Sequence, residues 1–108
     1  MNASNGNKAL EIEIVAIDQG RAGEYHAKVA GSEAISRMTW TEHDGPDGPV
    51  RSANHTLVPR PLEGRGIARR LVERLVADAR EKGYKIEPRC SFVEAQFRRH
   101  PEWADLRA

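Results

Sequence analysis

Two short stretches carry residues able to do chemistry. The first is R-P-L-E-G-R-G-I-A-R-R, Arg60 to Arg70, where Gly64 and Gly66 stand one residue apart just ahead of apolar residues at helical spacing. Glycine has no Cβ, so it lets backbone bend tightly or approach a ligand closely, and it weakens a helix interior. The first N–H groups of a helix lack intrahelical partners and the macrodipole adds partial positive charge, so a phosphate fits there. The second is Cys90, the only cysteine, followed at once by Ser91 and another helical pattern. The thiolate is the reactive form, and a helix N-terminus brings a thiol below its free pKa of about 8.5. Each stretch has a plain alternative: a tight turn into a core helix for the glycines, a small buried packing residue for Cys90.

The elements that must position these groups are readable from periodicity. Leu10, Ile12 and Ile14 alternate with Glu11 and Glu13, and Val15 and Ile17 extend a half-buried strand. D-Q-G-R-A-G is turn chemistry, and Tyr25, Ala27 and Val29 then alternate with His26 and Lys28 as a second strand. Glu33 to Thr41 is a third strand, and H-D-G-P-D-G-P predicts a long turn. Val50 to Val58 is a fourth, stopped by Pro59 and Pro61.

Ile67, Ala68, Leu71, Val72, Leu75, Val76 and Ala79 define one face of a helix, with Arg69, Arg70, Glu73, Arg74, Asp78 and Arg80 opposite and Gly83 as its stop. Tyr84 to Cys90 is a short fifth strand, and Ser91 N-caps a second helix running to His100, which Pro101 ends or bends. The sum is an α+β plan: a four-strand antiparallel meander, a helix, a fifth strand closing a βαβ crossover, and a short C-terminal helix, on a mixed central sheet.

With 108 residues, 39% of them hydrophobic, the chain fits one domain, expected over residues 9–108 behind a flexible tail at 1–8. Lys+Arg at 17 against Asp+Glu at 16 gives a net charge of +1, which recommends neither nucleic acid nor an anionic membrane, so any anion site is local. No apolar run reaches the roughly 20 residues of a membrane span, and M-N-A-S-N-G-N-K is not a signal peptide. One cysteine forms no internal disulfide, and the expected location is cytoplasmic. His26 and His43 have no partner at metal-ligand spacing, so no metal is expected. Trp40 and Trp103 read as packing residues.

Phosphate-binding signatures separate by spacing. No Lys-Ser or Lys-Thr follows Gly66, against a P-loop, and Arg69 occupies the third glycine position of a dinucleotide fingerprint. Glu63-Gly64-Arg65-Gly66-Ile67-Ala68 after Val58-Pro59 resembles the pyrophosphate loop of the Gcn5-related N-acetyltransferases. H-T-L-V-P, L-E-G-R-G-I-A-R-R-L-V, K-I-E-P-R-C-S-F-V and R-R-H-P-E-W, in that order, resemble the small single-domain members of that superfamily from about strand two onward. Glu63 departs from the broader pattern, which prefers Arg or Gln there.

The resemblance implies an N-acetyltransferase fold and acetyl-CoA as co-substrate. It implies a cofactor site at Leu57, Val58, Glu63, Gly64, Arg65, Gly66, Ile67, Ala68 and Arg69. It places His55 on strand four and Cys90 at the end of strand five on either side of the reactive carbon, as candidate base and nucleophile; read from the residues alone, His55 is an ordinary strand residue sharing its face with Ala53 and Leu57. Many members carry a Tyr on the last helix that protonates the departing thiolate. The nearest position here is Phe97, which has no proton to give. Phe97, Phe92 and Val93 therefore read as core, with Arg98, Arg99 and His100 facing solvent or phosphate. The implied activity is acetyl transfer to an amine, direct or through acetyl-Cys90. The alternative is an acyl-CoA binding or sensing module with little turnover. The acceptor is an unidentified small-molecule or protein amine, with neither nucleic acid nor membrane as partner, and the chain acts as a monomer or weak homodimer.

Overall fold

Alternating apolar and polar residues build four strands in succession: β1 (Ile12–Asp18), β2 (Ala22–Val29), β3 (Ile35–Gly45) and β4 (Gly48–Leu57). In the computed structural model, which describes residues 11–108, they pair antiparallel in sequence order. The tail expected at 1–8, and Leu10, lie outside the described residues. A 3-10 turn at Arg60–Leu62 leads to α1 (Ile67–Lys82), and β5 (Lys85–Pro88) returns parallel to β4 at the end of the sheet. After it come α2 (Ser91–Arg99) and a second 3-10 helix, Pro101–Leu106. This is the α+β, mixed-sheet plan expected from the sequence.

Local departures have physical causes. The Gly/Pro cluster after Thr41 is not a long turn: β3 and β4 stay paired as far as Gly45 opposite Gly48, leaving only Pro46 and Asp47 as the loop. Proline suits the second position of a four-residue turn and glycine the fourth, where Gly48 has φ +121. Gly23, expected in the preceding turn, lies within β2, because the Trp40 ring occupies the space its Cβ would need. Ser91 is the first residue of α2, and Cys90, with extended φ −77 and ψ 133, is its N-cap.

The helices bury their apolar faces on one side of the sheet, where Tyr25, Met38, Trp40 and Ala53 meet Leu71, Val72, Leu75, Val93, Phe97 and Trp103 in a single core. Asp78 is not on the solvent face of α1. It is buried, accepts a 2.6 Å bond from the Tyr25 hydroxyl, and pairs with Arg74. Burial and that bond push the Tyr25 phenol far up from its ordinary pKa. Arg51 is also buried, its guanidinium 3.8 Å from the centre of the Trp40 ring and 4.3 Å from that of Tyr84, with Glu42 accepting from Nε at 2.9 Å. The opposite face of the sheet carries no described helix.

Candidate functional site

The loop between the 3-10 turn and α1 is shaped by its glycines. Gly64 has φ +78 and Gly66 φ +79, the left-handed region that glycine adopts without steric cost. Crowding is not the reason for them: a Cβ on Gly64 would meet nothing within 4 Å, and one on Gly66 would meet only Arg69 Nη2 at 3.7 Å. Among the described residues, none of the six amides from Gly64 to Arg69 donates to a protein acceptor, and the first helical bond of α1 is Arg70 N–H to the Gly66 carbonyl. Six successive donors, three of them at a helix start, form an anion-binding concavity.

These residues line a cleft of about 360 Å³, bounded by Val58 and Leu62 on one side and Phe92 and Gln96 of α2 on the other. Of the expected cofactor residues, Val58, Glu63, Gly64, Gly66, Ile67, Ala68 and Arg69 line it. Leu57 and Arg65 do not; Leu57 is 57% exposed. Phe92 and Gln96, four residues apart, share the helix face turned toward the loop, so Phe92 is a wall of the cleft, while Val93 and Phe97 are core. Arg98 and His100 do not face the anion site: Arg98 pairs with Glu94, and His100 bonds Glu102 at 2.8 Å and stacks on Trp103.

Beyond the cleft the sheet parts. β4 and β5 pair only from Val50–Lys85 to Ala53–Pro88, and the amides of Arg89 and Cys90 both converge on the Ala53 carbonyl. From Asn54 to Leu57, β4 keeps β3 on one side and has no strand on the other among the described residues. At the same point the β3–β4 register shifts: Trp40 pairs with Ala53, but Thr39 pairs with His55 and Met38 with Thr56. Asn54 is the extra residue of a β-bulge, its Nδ2 donating to Thr41 Oγ1 at 3.1 Å.

The bulge separates the two expected catalytic residues. Thr56 follows Met38 to the helix side, where its Oγ1 lies 3.5 Å from Cys90 Sγ. His55 follows Thr39 to the open face and no longer shares a face with Ala53. Among the described residues no hydrogen bond joins His55 to Cys90. His55 instead lines a hollow of about 520 Å³ with Glu24, Thr39, Thr41, Asn54 and Arg89. Glu24 Oε1 meets His26 Nε2 at 2.7 Å.

Burial alone would push the Cys90 thiol up. The Thr56 hydroxyl, with the amides of Val93, Phe92 and Thr56, outweighs it and holds the thiol below its ordinary pKa. Asn54, Thr56 and Gln96 carry no signal in the sequence as site residues: a bulge leaves the strand pattern intact, and Gln96 reads as the polar neighbour of Phe97.

A mixed sheet whose last two strands part beside an amide-lined loop ahead of the crossover helix defines an acyltransferase class of fold. The family model described as GCN5-related N-acetyl-transferase matches residues 24–106, most of the chain, and the chain belongs to that family. No curated protein sequence matches it. No described helix is long and apolar enough to cross a membrane.

Proposed function

We propose that this chain is an acetyl-CoA-dependent N-acetyltransferase acting on an amine. The observation that carries the reading is the run of six amides from Gly64 to Arg69 without an acceptor among the described residues, bordering a cleft beside the parted strands. Coenzyme A, when bound, supplies an acyl thioester, and its diphosphate has the charge and acceptor oxygens those amides fit. Arg65, Arg69 and Arg70 add positive charge around the loop and offset Glu63. Val58 and Phe92 supply apolar walls for an arm leading toward Cys90.

The two faces of β4 divide the remaining work. On the helix side, Thr56 and the α2 amides favour the Cys90 thiolate without help from a base, so Cys90 is fit to take the acetyl group as a thioester. On the open face, His55 is placed to accept the proton of an amine docked in the hollow as that amine attacks the acyl carbon and the thiolate departs. A second reading, direct attack on the acetyl donor with Cys90 as a wall, is favoured by the lack of any bond between His55 and Cys90. An open, polar hollow suits a small amine or one carried on a protein. The reading is of a cytoplasmic enzyme, consistent with its single unpaired cysteine.

Incubation with acetyl-CoA alone tests the assignment. Binding should raise thermal stability, since a native-state ligand adds about 2.7 kcal/mol at a hundredfold excess over Kd, and NAD should not. An acetyl group on Cys90, removable by hydroxylamine, supports the covalent route; full activity in Cys90→Ala supports the direct one. Binding without transfer to any amine would mark a binding module. No response to coenzyme A overturns the reading.

A further inference from the structure

On the open face of the sheet, Glu24 pairs with Thr39 and Thr39 with His55, so the three stand in one rank across β2, β3 and β4. Paired residues lie about 5 Å apart, which sets the Glu24 and His55 backbones roughly 10 Å apart with the short Thr39 side chain as the floor between them. All three line the hollow of about 520 Å³, where Glu24 is the one acidic residue among the described residues. A carboxylate only accepts, so His26 Nε2 is the donor to Glu24 Oε1 at 2.7 Å. That bond holds the carboxylate in place, and among the described residues Oε2 has no partner. Arg37, opposite His26 in the next rank, neither lines the hollow nor bonds Glu24 among the described residues. Charge of the other sign lies at the far end. Arg89 follows β5, its amide bonds the Ala53 carbonyl, and its side chain lines the hollow beyond His55, 3.8 Å from Glu87. His55 thus stands between a carboxylate and a guanidinium. An ammonium is favoured beside the first and disfavoured beside the second. Attack on an acyl carbon needs a neutral amine, so the arginine end suits the reacting nitrogen and the glutamate end suits a second, charged one.

We propose that the hollow takes a short aliphatic diamine as acceptor: Glu24 holds one nitrogen as an ammonium while the other, neutral, faces His55 and is acetylated. This rests on the reading of the chain as an amine acetyltransferase. As the neutral nitrogen attacks, the C–S bond of the acyl thioester breaks, the thiolate leaves, and the proton on nitrogen passes to His55. A hydrogen bond of about 2.9 Å at each end of the rank leaves roughly 4–6 Å between the two nitrogens, the span of about three or four methylenes. Glu24 is a specificity-determining contact and transfers no proton.

The test compares three amines of one length, 1,4-diaminobutane, n-butylamine and 4-aminobutyrate, in the wild type and in Glu24→Gln, whose amide oxygen keeps an acceptor for His26. With saturating acetyl-CoA, the wild type should prefer the diamine to butylamine by roughly 10–100-fold in kcat/KM, the gain of a charge-assisted bond, and should use 4-aminobutyrate least. Glu24→Gln should bring the ratio of diamine to butylamine close to one, through KM, with the ligand-free thermal midpoint kept. Equal use of diamine and butylamine by the wild type overturns the proposal. So does a preference that survives in Glu24→Gln, or faster acetylation of a lysine peptide than of the diamine. Calorimetric titration of the amines without acetyl-CoA separates this proposal from the reading it rests on. Diamine bound 10–100-fold more tightly than butylamine supports the site even where coenzyme A fails to bind, whereas coenzyme A binding with no preference among the amines overturns the site alone.

Discussion

Replacing Gly66 by alanine separates what the glycine does for the fold from what it does for a ligand, provided Gly83→Ala is measured beside it. Both residues are left-handed, at φ +79 and +81. Forcing an L-residue into that region costs roughly 1–2 kcal/mol, which for a domain of this size lowers the thermal midpoint by about 4–8 °C per kcal/mol. Neither site adds a clash: a Cβ meets Arg69 Nη2 at 3.7 Å in one case and nothing within 4 Å in the other. The two variants should therefore lose similar stability. They differ in place, since Gly66 lines the cleft and Gly83 caps the far end of α1. A methyl on Gly66 stands over the amide run, and displacing an anion from two charge-assisted bonds, at about 1.5 kcal/mol each or more, weakens coenzyme A by 10²-fold or more. Calorimetric titration of both variants, below their midpoints, reads this directly. Equal loss of affinity in both, or full affinity in Gly66→Ala, refutes the argument that the loop amides hold the diphosphate.

Alkylation of Cys90 by iodoacetamide should show a pH midpoint below that of an ordinary thiol, and Thr56→Val, which removes a donor to the thiolate, should move it up; no movement would leave the hydroxyl without a role. His55→Ala should slow acetyl transfer by roughly 10²–10⁴-fold with coenzyme A affinity unchanged, while acetyl loading of Cys90, on the other face, should be spared; loss of loading would place His55 with the thiol. Tyr25→Phe should cost about 1–3 kcal/mol in urea unfolding, because it strips a 2.6 Å bond from buried Asp78. Arg107 and then Arg98 hold the Glu94 carboxyl below the usual range. A depressed folded pKa adds stability above the ordinary carboxylate pKa and loses it as pH falls through the depressed value. Glu94→Gln should therefore be less stable than wild type near neutrality, with the difference closing in acid.

Period-two and helical patterns were enough for the five strands, both helices and their order, because each buries one continuous face and the pattern is that face. The glycine loop was legible for a different reason: two glycines just before a helix mark backbone that only glycine adopts without steric cost, here the left-handed φ of +78 and +79. What could not be read depends on contacts between distant segments. Gly23 looks like turn chemistry until Trp40, on the neighbouring strand, is seen to fill the space above it. Asp78 belongs to the polar set of α1 by spacing and is drawn inward only because Tyr25 presents a hydroxyl from β2. Arg51 is buried by two aromatic rings, Trp40 from β3 and Tyr84 from the residue just before β5. The Pro101–Leu106 segment has no periodicity of its own; Trp103, packed edge-on to Phe97 at 5.5 Å, holds it in place.

The bulge at Asn54 shows why the site was only half visible. Strict alternation from Ala53 would put His55 on the core side and Thr56 on the open face. One inserted residue reverses both, and nothing in V-R-S-A-N-H-T-L-V marks where it falls. The reversal has a chemical consequence. It brings a hydroxyl to Cys90 and turns an imidazole toward the open hollow, so thiol and imidazole come to lie on opposite sides of a strand whose free edge faces the gap in the sheet. An acyl group held in that gap would be open to attack from either side, by Cys90 from the helix side or by an amine from the open face. The same geometry thus accommodates a covalent relay or a direct transfer, and the kinetic order of acetyl loading and amine attack decides between them. Loading that is faster than turnover and lost in Cys90→Ala selects the relay. A Cys90→Ala protein that keeps its rate selects direct attack, and in the proposed mechanism His55 takes the proton on either route.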